Sequence, residues 1–486
     1  MERGSGILLH ISSLPNKYGF GCFSKEAYDF IDFLSTTHQK YWQVLPLNPT
    51  NETGSPFQCY SVFAGNVCFI DLTKYLTKDE LKFLGVKALK KVNFSSIYNQ
   101  RIKALKYIYD RDFNEERVKK FVKDNNFWLI DFAVFMTLKE DYKCSFYEFP
   151  KKYKDYEKKA IDEYKKDNKD RINFYIFTQF LFFEQWKSLK DYATKKGIKI
   201  IGDIAFYPSS DSSDVWANRK EFCFDNLGNP TAVGGVPPDY FSADGQLWGN
   251  PIYNIKNMQQ NGYKWWIQRF KFTYKFFDFA RLDHFRGFES FWACEPNAIN
   301  AKVGRWIKGP GKVFFDKLKE IRAIPKLIAE DLGIITEDVK KLIDQTNFPG
   351  MKVFQFAFDG NKKNNYFPHN YIDNCVAYLG THDNNTFIGF LKEVEDKTLR
   401  DIKFYLSCKE SSTYEEITDM AFSVIMNSKS KIVILSMQDL LYFDERFRMN
   451  TPGKVGDNWG FRLNKNYLTK DFVKRLKNLT ILANRN

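Results

Sequence analysis

Four carboxylic acids stand at matching places in this sequence: Asp203 in IIGDIAF, Asp283 in FDFARLDHF, Glu330 in KLIAEDLG and Asp383 in VAYLGTHDN. Each ends or closely follows a short apolar run. A single Asp in such a place most often caps a helix. Four brought together need a task or a counter-charge, because burial and like charges both disfavour the ionised form. Two chemistries use such a cluster. Carboxylates can hold a divalent metal through oxygen ligands. Alternatively, a pair can act on a glycosidic bond, one as nucleophile and one as proton donor, with carboxyls roughly 5 to 5.5 Å apart in the retaining form. Arg281 separates the two. It precedes Asp283 by two residues, so along a strand both side chains share a face. A fixed guanidinium there repels a dication and is the counter-charge of a carboxylate nucleophile. Glu330 is then the proton donor by elimination, since a donor needs a raised pKa in a less polar setting. His382 and Asp383 are placed to hydrogen-bond sugar hydroxyls as a ring flattens toward an oxocarbenium ion. The chain has 5 His, and His284 and His382 both adjoin these acids. No Ser-His-Asp order, Cys-His dyad or phosphate-binding P-loop competes.

For the acids to meet, the runs that carry them must lie side by side. Eight short apolar or β-rich runs, each followed by turn residues and a helical stretch, recur at 6–10, 41–46, 198–206, 277–285, 326–332, 351–358, 375–380 and 431–438. Most are near-continuously apolar, as strands buried on both faces of a parallel sheet are. Amphipathic helical patterns lie between several of them, such as 24–36 and 336–345; Glu337 and Asp338 open the second, where the helix dipole favours acids. Eight alternating units predict an α/β fold of the (β/α)8 barrel type, in which catalytic residues occupy the C-terminal ends of the strands. A doubly wound sheet falls behind because no GxGxxG is present. The whole chain, 1–486, reads as one catalytic domain. Two connections are too long for simple loops. Residues 51–197, rich in Lys, Tyr and Phe with helical periodicity, read as a mainly helical insertion after the second strand. Residues 207–265, rich in Gly, Pro, Asn and Asp, read as an irregular loop insertion after the third, bordering the cleft.

Composition narrows the partners. The chain has 486 residues, 44% hydrophobic and 17% aromatic, with 48 Phe and 27 Tyr. That supplies a large core and leaves ring faces for sugars. The net charge of +14 raises nucleic acid as a partner. Its densest Lys tract, 151–169, is interleaved with Asp155, Glu157, Asp162, Glu163 and Asp167, the pattern of a solvated helix face, so nucleic acid is set aside. The 8 Cys occur singly, without CxxC or zinc spacing, which predicts a reduced, cytoplasmic chain. No signal-peptide pattern opens the sequence and no apolar run approaches membrane-spanning length, so no membrane association is expected.

Several blocks, in order, resemble the amylomaltase, or disproportionating-enzyme, family of 4-α-glucanotransferases. The resemblance runs from GILLHISSLPNKYGFG at Gly6 to MNTPGKVGDNWGFR at Met449. Between them lie YWQVLPLNPT, GDIAFYPSSDSSDVW, GVPPDYFSADGQLWGNPIY, ARLDHFRGFESFW, IAEDLGIIT and YLGTHDNNT. The resemblance implies Asp283 as nucleophile, Glu330 as general acid/base and Asp383 as transition-state stabiliser. It also implies that Arg281, Asp203 and His382 contact sugar in the donor subsite, joined by Asn458 from the last block. Residues 235–253 resemble a loop over the cleft, with Tyr240 and Trp248 offering flat faces to sugar rings. Position 57, in GSPFQCYSVFAGN, is Phe where the family pattern usually carries Tyr; a stacking face remains, but a hydroxyl worth about 0.5 to 1.5 kcal/mol in hydrogen bonding is lost, and Tyr60 stands nearby to replace it. The resemblance further implies no metal and no organic cofactor, malto-oligosaccharide or other α-1,4-glucan as donor and acceptor, and transfer to a 4-hydroxyl rather than to water. Transfer rests on the resemblance alone. The nearest alternative is an α-glucan hydrolase with the same carboxylates and a wetter site; a non-catalytic glucan-binding protein leaves the full set of acids without a task, a metal-dependent barrel enzyme is disfavoured by Arg281, and the residues leave monomer and dimer open.

Overall fold

The computed structural model describes all residues except 88–91, 93, 239–241, 322–325 and 455. The described strands, in chain order, are β1 (Gly4–Leu8), β2 (Tyr41–Gln43), β3 (Lys199–Ile204), β4 (Val233–Val236), β5 (Gln246–Pro251), β6 (Phe279–Leu282), β7 (Ser290–Cys294), β8 (Arg305–Lys308), β9 (Leu327–Ala329), β10 (Gly350–Val353), β11 (Cys375–Tyr378) and β12 (Ile432–Ser436). Eight of them close into a barrel in the order β1-β12-β11-β10-β9-β6-β3-β2, every ladder parallel. These are the eight runs expected from the sequence. β12, Ile-Val-Ile-Leu-Ser, is buried at every residue, which a strand sandwiched between a filled barrel and an outer helix must be. Closure leaves β1 little room. A Cβ on Gly6 would lie 2.4 Å from the Tyr41 carbonyl oxygen, so only glycine lets β1 and β2 approach here.

Helices cover the barrel with one face each. Helix Lys25–Thr36 buries Ala27, Phe30, Ile31, Phe33 and Leu34, a stripe of helical period. Helix Glu337–Thr346 begins where the Thr336 side chain accepts from the Val339 N–H and ends at Asn347 in the left-handed region, the cap chemistry of both termini. Between β2 and β3 the described chain runs mainly through helices from Lys78 to Lys195; the last, Lys169–Lys195, packs on helix Lys25–Thr36 and leads into β3.

The barrel strands all end before the expected runs do, and two of those runs turn directly into helix. Residues 354–357 turn into a short 3-10 helix, and Ser436 caps helix Met437–Leu440 by accepting from Asp439. Past the barrel rim the backbone loses ladder partners and side chains take over. The stretch 207–265 also differs from an irregular loop. It holds β4 and β5, which join β7 and β8 in a four-stranded antiparallel sheet of order β5-β4-β7-β8. β4 is Val-Gly-Gly-Val, without alternation to read, and its partner β7 lies far along the sequence.

At the opposite end of the barrel one side chain ties strand starts together. Arg485 is fully buried and donates to the carbonyls of Gly4, Met426, Ser428, Ser430 and Lys431, tying the starts of β1 and β12 together. Replacing it leaves buried acceptors unpaired. Arg485→Met is expected to cost about 3 to 5 kcal/mol, read as a lower melting temperature with unchanged turnover well below it; an unchanged melting temperature would contradict this role.

Candidate active site

The acids meet because their strands are neighbours in register. Asp203 on β3 pairs with Arg281 on β6, and Leu282 on β6 pairs with Ala329 on β9. The ladder continues one residue beyond the strands: Asp283 N–H donates to the Ile204 carbonyl (3.0 Å) and Glu330 N–H to the Leu282 carbonyl (3.1 Å). Asp283 and Glu330 therefore leave adjacent strands at the same level. Asp383 enters from the loop after β11.

Arg281 sits at the centre. Its Nη1 donates to both oxygens of Asp203, at 2.9 and 3.0 Å, and its Nη2 lies 2.9 Å from Oδ1 of Asp283. Exposure separates the two acids: the Asp203 side chain is 0% exposed, Arg281 3% and Asp283 30%. Asp203 thus stands behind Arg281 and Asp283 in front of it, open to the cleft. Burial pushes the Asp203 carboxyl upward against the pull of Arg281. Burial disfavours the charge on Arg281, but Asp203, Asp283 and Glu330 around it hold the guanidinium protonated.

Glu330 is held by backbone. Its Oε2 accepts from the His284 N–H at 2.7 Å and its Oε1 from the Leu332 N–H at 2.8 Å. His284 follows Asp283 directly, so the turn that presents one acid also aims the other. Burial pushes the Glu330 carboxyl up to about 7, with the Asp283 charge adding to the rise and Arg281 and the two N–H groups opposing it.

Asp383 is fixed from a distant loop. Asn450 Nδ2 donates to its Oδ1 at 2.6 Å, and Arg448 Nη2 donates to its carbonyl at 2.6 Å. Nε2 of His382 lies 3.3 Å from its Oδ2. Burial pushes His382 down despite the pull of Asp383. Phe57 stacks on the His382 ring, 5.3 Å between centroids and 10° from parallel, and Trp459 packs against both. Tyr60 turns toward the helices after β2, its ring against Phe135 and the Lys139 ammonium. Trp248 stands edge-on to His284 at 4.8 Å.

Most of the residues singled out in the sequence thus converge: Asp203, Arg281, Asp283, Glu330, His382, Asp383, Phe57 and Trp248. Asn458 spends its amide on its own loop, accepting from the Thr451 N–H and donating to the Lys454 carbonyl. Asn450, eight residues earlier in the same block and not singled out in the sequence, donates to Asp383. Tyr240 lies outside the described residues. Among the described residues no group of three or more His, Cys, Asp or Glu is arranged to hold a metal ion, and no helix is long and apolar enough to cross a membrane.

A closed parallel barrel carrying a paired-carboxylate site at its strand ends defines a (β/α)8 enzyme of carbohydrate chemistry. The chain belongs to the 4-alpha-glucanotransferase family, glycoside hydrolase family 77, whose sequence pattern matches residues 9–469. It is 41% identical over 496 residues to a 4-alpha-glucanotransferase of Streptococcus pneumoniae, covering 100% of this chain and 98% of that protein. It is 40% identical to one of Clostridium butyricum, covering 98% and 100%. Among solved structures it is similar to amylomaltase from Streptococcus agalactiae, determined in complex with acarbose, with a TM-score of 0.95, 36% identity and full coverage of both chains. Amylomaltase from Corynebacterium glutamicum shares the fold, with a TM-score of 0.76 at 17% identity, covering 100% of this chain and 75% of that one.

The Arg281 bracket predicts a pH signature. Arg281→Met leaves Asp203 buried without a counter-charge, lowering stability at neutral pH by about 3 to 5 kcal/mol. A buried carboxyl whose folded pKa lies above its unfolded one is stabilising below the unfolded value and loses that contribution as pH rises through the folded value. The deficit against wild type should therefore shrink toward about pH 4 and widen toward neutrality in denaturant titrations; a deficit constant with pH would contradict the pairing.

Proposed function

We propose that the enzyme cuts and rejoins α-1,4-glucans by double displacement, with Asp283 as nucleophile and Glu330 as acid and then base. The observation that carries this reading is the pair itself: a cleft-facing carboxylate held by a guanidinium, beside a Glu pushed up to about 7. Asp283 attacks the anomeric carbon of a malto-oligosaccharide as Glu330 gives its proton to the departing 4-oxygen, so the C–O bond breaks as the glycosyl ester forms. Glu330, now ionised, takes the proton from the 4-hydroxyl of an acceptor glucan, which displaces Asp283 and restores both groups. Asp383 and His382 hold hydroxyls of the sugar ring as charge develops. Asp203 positions Arg281, and Phe57 and Trp248 offer faces to sugar. Tyr240 and Asn458 are included as substrate contacts by analogy with the family, Asn458 with the reservation that its amide is engaged in its own loop. No cofactor takes part. Residues 51–197 are assigned as an insertion of the single catalytic domain, and the protein is assigned to the cytoplasm, where such glucans are metabolised.

Incubated with maltotriose, the pure protein should yield glucose together with longer oligomers; only shorter products with new reducing ends would replace transfer by hydrolysis. Asp283→Asn should keep the fold and lower turnover roughly 1,000-fold or more, and near-normal disproportionation by this variant would sink the assignment. Because Glu330 must carry a proton to act first as acid, kcat/KM should fall as pH rises through about 7, and this limb should be absent from whatever activity Glu330→Gln shows with a fluoride leaving group that needs no proton.

A further inference from the structure

Beside His382, the segments after β1, β11 and β12 line a small, partly open pocket of about 20 Å³ with mixed polar and apolar walls. Its wall includes His10, His382, Asn385, Gln438 and Arg448. Three of these side chains carry buried polar atoms without a hydrogen-bond partner: Nδ1 of His10, Nδ1 of His382, and both Nδ2 and Oδ1 of Asn385. His10 is 5% exposed, His382 5% and Asn385 7%. Leaving several such atoms unpaired is costly, and 20 Å³ with two to four polar partners is what one ordered water requires. His10 comes from the LLHISS segment at the end of β1, a motif to which the reaction as described gives no task.

We propose that His10, with Asn385 and one ordered water in this cavity, is a positioning residue that fixes the tautomer and orientation of His382 and so of Asp383. Nε2 of His382 faces Asp383 at 3.3 Å, while its Nδ1 is buried without a partner on the cavity side; the tautomer that suits the carboxylate carries its proton on Nε2 and a lone pair on Nδ1. A water there donates to that lone pair and completes its bonding with His10 and the Asn385 amide. Without this support the alternative tautomer, with Nδ1–H toward the cavity, turns an Nε2 lone pair against the Asp383 carboxylate 3.3 Å away. The His10 ring itself is held edge-on by Phe69, 5.4 Å away at 89°, so its nitrogen is aimed by packing rather than free to rotate. The inference rests on the reading of Asp383 and His382 as groups that act on the sugar.

The test replaces the ring nitrogens while keeping a ring. His10→Phe is expected to lower kcat on maltotriose roughly 10- to 100-fold, the scale for removing a partner that orients a functional group. KM should stay within about twofold and the melting temperature near wild type. His10→Gln, whose amide reaches the same water, should recover most of kcat. Histidine nitrogen NMR should show His382 with Nε2 protonated in wild type and a changed Nδ1 signal in His10→Phe. Wild-type kcat in His10→Phe, an unmoved His382 signal, or a loss shared equally by His10→Gln with a lowered melting temperature would overturn the proposal. If His10→Phe does not fold, Asn385→Ala, which leaves the His10 ring in place, is read by the same measures. His382→Asn and Asp383→Asn keep the two failures apart: if both are active the reading of the site has failed, and if both are impaired while His10→Phe is not, only this inference has.

Discussion

A buried arginine held between two aspartates is the constraint on which the site depends. Arg281 is almost wholly removed from water, and a lone buried cation would be prohibitively costly. Asp203 meets that cost from behind, accepting two hydrogen bonds from one nitrogen, and Asp283 meets it from the front with an ion-pair contact of 2.9 Å. The geometry has a direction. Because Asp203 is sealed inside and Asp283 is not, the guanidinium acts as a fixed plate against which the cleft-facing carboxylate is held. The β3–β6 register that sets Asp203 beside Arg281 is thus a catalytic feature as much as a structural one.

The other acids are held by different means, and the difference matches the work proposed for each. Glu330 receives two backbone N–H groups and no side-chain cation of its own, in surroundings that favour its proton. Asp383 is gripped by Asn450 and Arg448 from the loop after β12 and by His382 beside it. One acid is paired with a cation, one is oriented by backbone, and one is tied through its carboxylate to an amide and through its carbonyl to a guanidinium across the barrel mouth. This separation of environments gives three carboxyls in one cleft three different settings. It also requires barrel closure, since β3, β6 and β9 on one side and β11 and β12 on the other meet only when the sheet is a ring.

Much of this was legible in the sequence because it is local. The near-continuous apolar runs marked all eight barrel strands, and the spacing of Arg281 to Asp283 placed both on one strand face before any coordinates. What was not legible depends on contacts between distant segments. β4, with two glycines, carries no alternation, so the antiparallel sheet was read as loop. That Asn450 holds Asp383 turns on how one loop folds back on the site. Phe57 could be flagged as a departure from a pattern, but its parallel stack on His382 follows from the meeting of loops more than 300 residues apart.

The central claim is that the carboxylate in front of Arg281 forms the bond to sugar. It is tested most directly by trapping that bond: Glu330→Gln, supplied with α-maltotriosyl fluoride, can form the glycosyl ester without an acid but lacks the base to resolve it quickly. Peptide mass spectrometry of the quenched protein should find the maltotriosyl adduct on the peptide containing Asp283, with fragmentation placing it on that residue. An adduct on Asp203, Asp383 or another side chain would contradict the account.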